Sequence, residues 1–129
     1  MDILSKKCKR AFKIQGAILE KMILPSNVKF VDQNLKNSFE KLKETEDSLY
    51  RFLIRAFEDI ERNAFCGIQI PKRLIPKEYI KRYNVKNLWK YDLPGAWRLL
   101  YSIERDEIVV VSIILEWMDH KNYEKRFRY

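Results

Sequence analysis

Histidine occurs once in this chain, cysteine twice, glycine three times and proline four times. Each scarcity removes a class of protein. Cys8 and Cys66 stand far apart, and two thiols with one histidine cannot fill a tetrahedral zinc site, so no metal is expected. The same two thiols make no disulfide framework, which points to a reducing interior, the cytoplasm. So few glycines leave no Walker loop and no GxGxxG, and no cofactor is expected. There is no zinc-finger spacing and no defensible helix-turn-helix. No apolar run reaches the roughly 18 residues of a membrane span. The N-terminal segment carries Lys6, Lys7, Lys9, Arg10 and Lys13, but no apolar core or small-residue cleavage site follows, so no targeting segment is expected.

What is present suits one ordinary domain. The chain has 129 residues, 47% of them hydrophobic, enough for a single core without staples. Its formal charge is +8, which favours polyanionic partners. The charge is uneven. Residues 1–29 carry seven basic and two acidic side chains, and residues 67–98 carry eight and two. Residues 30–66 carry six and eight, and residues 99–129 five and six. The positive field therefore comes from the N-terminal segment and from the stretch that leads into the C-terminal third, where Lys72, Arg73, Lys77, Lys81, Arg82 and Lys86 crowd together.

Periodicity divides the chain into elements. Residues 3–23 read as an amphipathic helix, with Leu4, Cys8, Ala11, Ile18 and Met22 on one stripe and Pro25 just past its end. Its basic face is either a docked helix's solvated side or a surface for membrane or nucleic acid. VKFVDQ, residues 28–33, reads as a short strand. Asp32 or Asn34 caps a helix over 35–44, with Leu35, Phe39 and Leu42 along one side. Thr45 or Asp47 caps the next, which runs to about residue 64 with a wide stripe of Leu49, Phe52, Leu53, Ala56, Phe57 and Ile60. These two make a helical hairpin that packs its apolar side on a sheet. Residues 65–76 read as loop, and Pro76 starts a short helix ending near Tyr83–Asn84.

The rest reads as an antiparallel meander: strands over 85–93, 96–104 and 107–117, joined at Pro94–Gly95 and Arg105–Asp106. Alternation puts Trp97, Leu99, Tyr101 and Ile103 on one face of the middle strand and Arg98, Leu100, Ser102 and Glu104 on the other. Leu88, Lys90 and Asp92 share a face of the strand before it. The last strand is apolar on both faces, which suggests an interior position covered on both sides. The expected fold is α+β: an antiparallel sheet of about four strands on a helical hairpin, with an additional N-terminal helix.

NLWKYDL (87–93), WRLLYSI (97–103), IVVVSII (108–114) and DHKNYEKRF (119–127) together resemble the RelE/ParE superfamily of small toxins from type II toxin–antitoxin systems. The resemblance covers about residues 28–127, and the N-terminal helix lies outside it. It rests on an aromatic–Arg–x–x–Tyr strand, here Trp97, Arg98 and Tyr101, and on a polar segment after the last strand that bears His120 and Tyr123. The order of strand, helical hairpin and meander agrees. The resemblance implies a small RelE-like domain and a cognate antitoxin as partner. RelE-like members cleave messenger RNA, often in the ribosomal A site, and ParE-like members act on DNA gyrase. The expected function is thus a toxin that is a metal-independent mRNA endoribonuclease, with ribosome dependence left open. The alternatives are a non-catalytic RNA-binding module and a gyrase-directed inhibitor. Self-association is left open, and no membrane partner is expected.

Such cleavage uses the ribose 2′-OH as nucleophile and needs a base, an acid and cations near the phosphoryl oxygens. Arg98 is the first choice for the phosphate clamp, because a guanidinium holds two oxygens in a fixed fork; otherwise it pairs with Asp92 or Glu116. His120 is the natural proton carrier. Tyr123 stacks on a base, donates a proton or closes the core. Lys90 supplies a second positive charge. Lys72, Arg73, Lys77, Lys81, Arg82, Lys86, Lys121, Arg126 and Arg128 are the expected RNA contacts. Trp89, Trp97 and Trp117 are read as core aromatics.

Overall fold

The computed structural model describes residues 23–45, 47–105 and 109–127. The expected helix over 3–23 and the predicted contact Arg128 lie outside them, apart from Ile23.

β1 (Asn27–Phe30) enters the sheet beside the end of the second helix, and polar side chains fasten it there. Leu24 N donates to Asn63 Oδ1 at 3.0 Å. Ser26 Oγ donates to Ile60 O at 3.0 Å and sits 2.8 Å from Ser112 Oγ. The helical hairpin follows. Asp32 caps α1 (Gln33–Glu44) by accepting from Leu35 N at 2.8 Å. Asp47, not Thr45, caps α2 (Ser48–Arg62), accepting from Leu49 N at 2.9 Å. The α2 stripe of Leu49, Leu53, Ala56 and Ile60 is buried against Leu93, Leu99, Tyr101 and Ile114 of the sheet. Half-buried Leu35, Phe39 and Leu42 of α1 join the same cluster.

The sheet has five strands in the order β1-β5-β4-β3-β2, one more than expected. The extra strand is β2 (Ile68–Gln69), whose two residues pair antiparallel with Lys90 and Trp89. No periodicity develops over two residues, so the sequence reads as loop there. α3 (Lys77–Tyr83) begins after Pro76 as expected and ends at Asn84, which takes a left-handed conformation at φ 53°; asparagine adopts that region more readily than most residues. β3 (Trp89–Leu93) starts later than the expected residue 85. Asn87 replaces the ladder at that point: its side-chain amide donates to Ile103 O and accepts from Ile103 N, both at 2.8 Å.

β4 (Trp97–Arg105) and β5 (Val110–Met118) form the middle of the sheet. β5 is flanked by β4 on one side and by parallel β1 on the other, as its two apolar faces suggested. The β4 alternation also holds, with Trp97, Leu99, Tyr101 and Ile103 toward the hairpin and Leu100 toward the opposite layer. The β4–β5 register shifts between Leu100 and Tyr101 of β4, so Leu100 faces Glu116 while Tyr101 faces Ile114. Leu115 is the extra residue of a bulge. This is what lets Ile114 and Trp117, three residues apart, pack in the same cluster.

α4 (His120–Phe127) is the element the sequence reading did not foresee as a helix. Asp119 starts it, accepting from Asn122 N at 2.9 Å. Its Tyr123 and Phe127 pack with Tyr79 of α3 and with Leu100, Leu115 and Met118. The sheet is therefore covered on both faces: by the hairpin on one and by α3 and α4 on the other.

Two buried tyrosines, Tyr79 and Tyr101, and the half-buried Tyr91 tie these layers and set a pH limit. Tyr79 Oη donates to Glu116, Tyr91 Oη donates to Asp59, and Tyr101 Oη donates to Ala64 O at 2.6 Å. Burial, the larger cause, raises all three above the ordinary value of about 10, and the carboxylate partners of Tyr79 and Tyr91 raise theirs further. Above that pH the unfolded chain releases phenol protons that the folded state keeps, so stability falls as pH rises. Thermal melts are expected to hold steady below about pH 10 and decline above it. Tyr91→Phe is expected to flatten the decline; an identical slope in wild type and variant rules the Tyr91 contribution out.

Candidate phosphate-binding site

Lys90, Asp92 and Arg98 lie on neighbouring strands, on the face away from the helical hairpin. Asp92 and Arg98 are cross-strand partners, and Lys90 stands two residues before Asp92. One carboxylate oxygen bridges both cations: Asp92 Oδ1 is 3.1 Å from Lys90 Nζ and 3.2 Å from Arg98 Nε. The cations are mostly covered, with side chains 19% and 17% exposed, whereas Asp92 is 49% exposed. Arg98 Nε is fully buried, and among the described residues no acceptor lies in line with its N–H. The 3.2 Å approach to Asp92 is thus an ion pair without a well-aimed hydrogen bond. Arg98 Nη1 reaches Trp97 O at 3.4 Å.

The floor of this cluster is the ring of Tyr123. Lys90 Nζ lies 5.7 Å from its centroid and Arg98 Cζ 5.4 Å. Cation–π attraction of about 0.5–2 kcal/mol per contact holds the two charges over the ring. Tyr123 is itself only 3% exposed and stacks on Phe127 with centroids 4.4 Å apart. It therefore closes the core and supports the cations.

Three of the four residues singled out for chemistry are thus brought together: Lys90, Arg98 and Tyr123. His120 sits one turn before Tyr123, in the first turn of α4, exposed, with Nε2 3.0 Å from Glu124 Oε2.

The predicted RNA contacts divide into two groups. Lys72, Arg73, Lys77, Lys81, Arg82, Lys86 and Lys121 are exposed. Lys77, Lys81 and Arg82 are carried on α3, which covers the same sheet face as α4. Arg82 rests its guanidinium 5.2 Å from the Tyr83 ring centroid. Arg126 differs from these. It pairs with Glu116, with Glu78 at 3.2 Å and with Tyr79 Oη at 3.0 Å, so it ties α4 to α3 and β5. Its place in an internal network was not visible in its sequence neighbours, because Glu78 and Glu116 come from distant elements. Asp92 was legible: strand alternation sets it beside Lys90, and the structure selects it over Glu116 as the partner of Arg98.

A cavity of about 440 Å³ opens beside that network, lined by Glu78, Trp97, Glu116, Trp117, Asp119 and Arg126 among others. Lys90, Arg98 and Tyr123 do not line it. The two cations are mostly covered, with the more exposed Asp92 at the solvent side of their cluster.

No protein-family model, curated protein or solved structure matches this chain. Among the described residues no helix is long and apolar enough to cross a membrane, and no cluster of metal-ligating side chains occurs.

Proposed function

We propose that this chain is a toxin of the RelE/ParE type that cleaves messenger RNA, on or off the ribosome, and is held inactive by a cognate antitoxin. The observation that carries the reading is the convergence of Lys90 and Arg98 over the Tyr123 ring on the sheet face opposite the hairpin. The order of strand, helical hairpin, meander and C-terminal polar segment supports it.

In this reaction the 2′-oxygen forms a bond to phosphorus, and the bond from phosphorus to the 5′-oxygen breaks. The 2′-OH proton goes to a base, and a proton returns to the departing oxygen. Arg98 and Lys90 stabilise the charge that grows on the phosphoryl oxygens, where a preorganised cation acts most strongly. His120 carries the proton, and Tyr123 holds the two cations in place. The exposed lysines and arginines of α3 and the segment before it guide the RNA by charge, so binding weakens as salt rises.

A second reading, an RNA-binding module that does not cut, is favoured by Asp92, which already neutralises part of the cationic pair. Induced expression of wild type and Arg98→Ala/His120→Ala, with primer-extension mapping of cellular RNA ends, tests both. New discrete cuts from wild type alone are the expected result. Well-expressed, folded wild type without cuts overturns the nuclease reading. Growth arrest with intact RNA redirects it to gyrase, and RNA binding without cuts to the binding module.

A further inference from the structure

The acidic partner in the cationic cluster has a geometry of its own. A single oxygen, Asp92 Oδ1, stands 3.1 Å from Lys90 Nζ and 3.2 Å from Arg98 Nε. Asp92 Oδ2 also lies 3.4 Å from Lys90 Nζ. Two covered cations sharing one oxygen form the arrangement that a non-bridging phosphate oxygen needs. The side chain supplying that oxygen is the most exposed of the three, at 49%. It stands on a strand near the Pro94–Ala96 turn, with solvent beside it. The Arg98 Nε–H, fully buried, is left without a well-aligned acceptor by this carboxylate. The carboxylate therefore occupies the site without satisfying it.

We propose that Asp92 is an internal stand-in for the RNA phosphodiester: its carboxylate fills the anion position between Lys90 and Arg98 and must rotate outward before a phosphate enters. The proposal rests on the functional reading above and adds a restraint to it. With Asp92 inward, the two cations are kept close together and partly neutralised, which lowers affinity for any polyanion at that point. A phosphodiester displaces it because RNA brings further contacts along the exposed basic residues, whereas a lone small anion brings none. Like charges brought together at a binding surface cost affinity. Removing the carboxylate's charge is therefore expected to strengthen RNA binding. A role for Asp92 in positioning the cations predicts the opposite sign.

The test is fluorescence anisotropy of the full chain with a 2′-O-methyl oligoribonucleotide, which binds but cannot be cut. Wild type, Asp92→Asn, Arg98→Gln and the double variant are compared at matched salt, with thermal melts to show that each is folded. Asp92→Asn is expected to bind about tenfold more tightly, and the gain is expected to vanish in the double variant. Asp92→Asn binding unchanged or weaker, with Arg98→Gln weaker than wild type, overturns the stand-in role while leaving the site reading intact. Binding identical in all four proteins overturns the site reading and the proposal with it. A gain that survives Arg98→Gln places the effect of Asp92 outside this anion position and also overturns the proposal.

Discussion

Arg98→Ala is expected to slow RNA cleavage by about a hundredfold or more, the usual loss when one preorganised charge is removed from a transition state. The loss should fall on the chemical step and leave the fold standing. Asp92 keeps its contact with Lys90 Nζ at 3.1 Å, so the truncation strands no buried carboxylate. The ring of Tyr123 keeps Phe127 beneath it. What the protein loses structurally is the arginine stem and one cation–π contact, on the order of 1–2 kcal/mol. Arg98→Lys should restore little, because an ammonium cannot reproduce the planar fork that holds two oxygens. Cleavage of a defined transcript, measured beside a thermal melt, separates the two effects. Wild-type cleavage by a folded Arg98→Ala protein removes Arg98 from the mechanism.

Gly67→Ala is expected to destabilise the fold by about 3 kcal/mol, through overpacking at a place with no room to relax. A Cβ there would stand 2.5 Å from Lys90 O and 2.7 Å from Tyr101 Oη. Neither atom can retreat. Lys90 belongs to β3, held between β2 and β4. Tyr101 is fully buried, and its hydroxyl accepts from Gly67 N at 3.1 Å while donating to Ala64 O at 2.6 Å. Its ring also stacks 6.3 Å from that of Trp89. The glycine is required for close approach, since a larger residue would push β3 or the Tyr101 ring away. A fall in melting temperature on the order of 10 °C is the expected readout. Because β3 carries Lys90, the same variant should weaken binding of the 2′-O-methyl oligonucleotide even when folded. A melt indistinguishable from wild type would mean that the loop before β2 yields easily.

The two variants probe different levels of one arrangement. Gly67 and Tyr101 fix where β3 lies relative to β4. That placement sets Lys90 and Asp92 opposite Arg98. α4 then slides Tyr123 beneath them, using Phe127, Tyr79 and Met118 as its own footing. The internal pairing of Arg126 with Glu116 and Glu78 ties α4 to β5 and α3, so a residue expected to contact RNA contributes to the site through its internal contacts.

Periodicity alone determined the helical hairpin, the three-strand meander and the interior position of β5, because each repeats its apolar pattern over enough residues to be read. The same local pattern narrowed the caps to Asp32 or Asn34 and to Thr45 or Asp47, and the structure selects Asp32 and Asp47. Alternation also placed Lys90 and Asp92 on one face and Arg98 opposite the core aromatics. Only the tertiary structure decided the rest. β2 is two residues long and exists through its partners in β3. The bulge at Leu115 depends on pairing with β4, which no local pattern reports. α4 looks polar in sequence because only Tyr123 and Phe127 of its eight residues are buried, and their burial depends on α3 lying alongside. Which carboxylate meets Arg98, and whether Arg126 faces RNA or Glu116, are questions of distance between remote elements. Local sequence sets which faces are apolar, but a pairing between charges is decided only when the layers close.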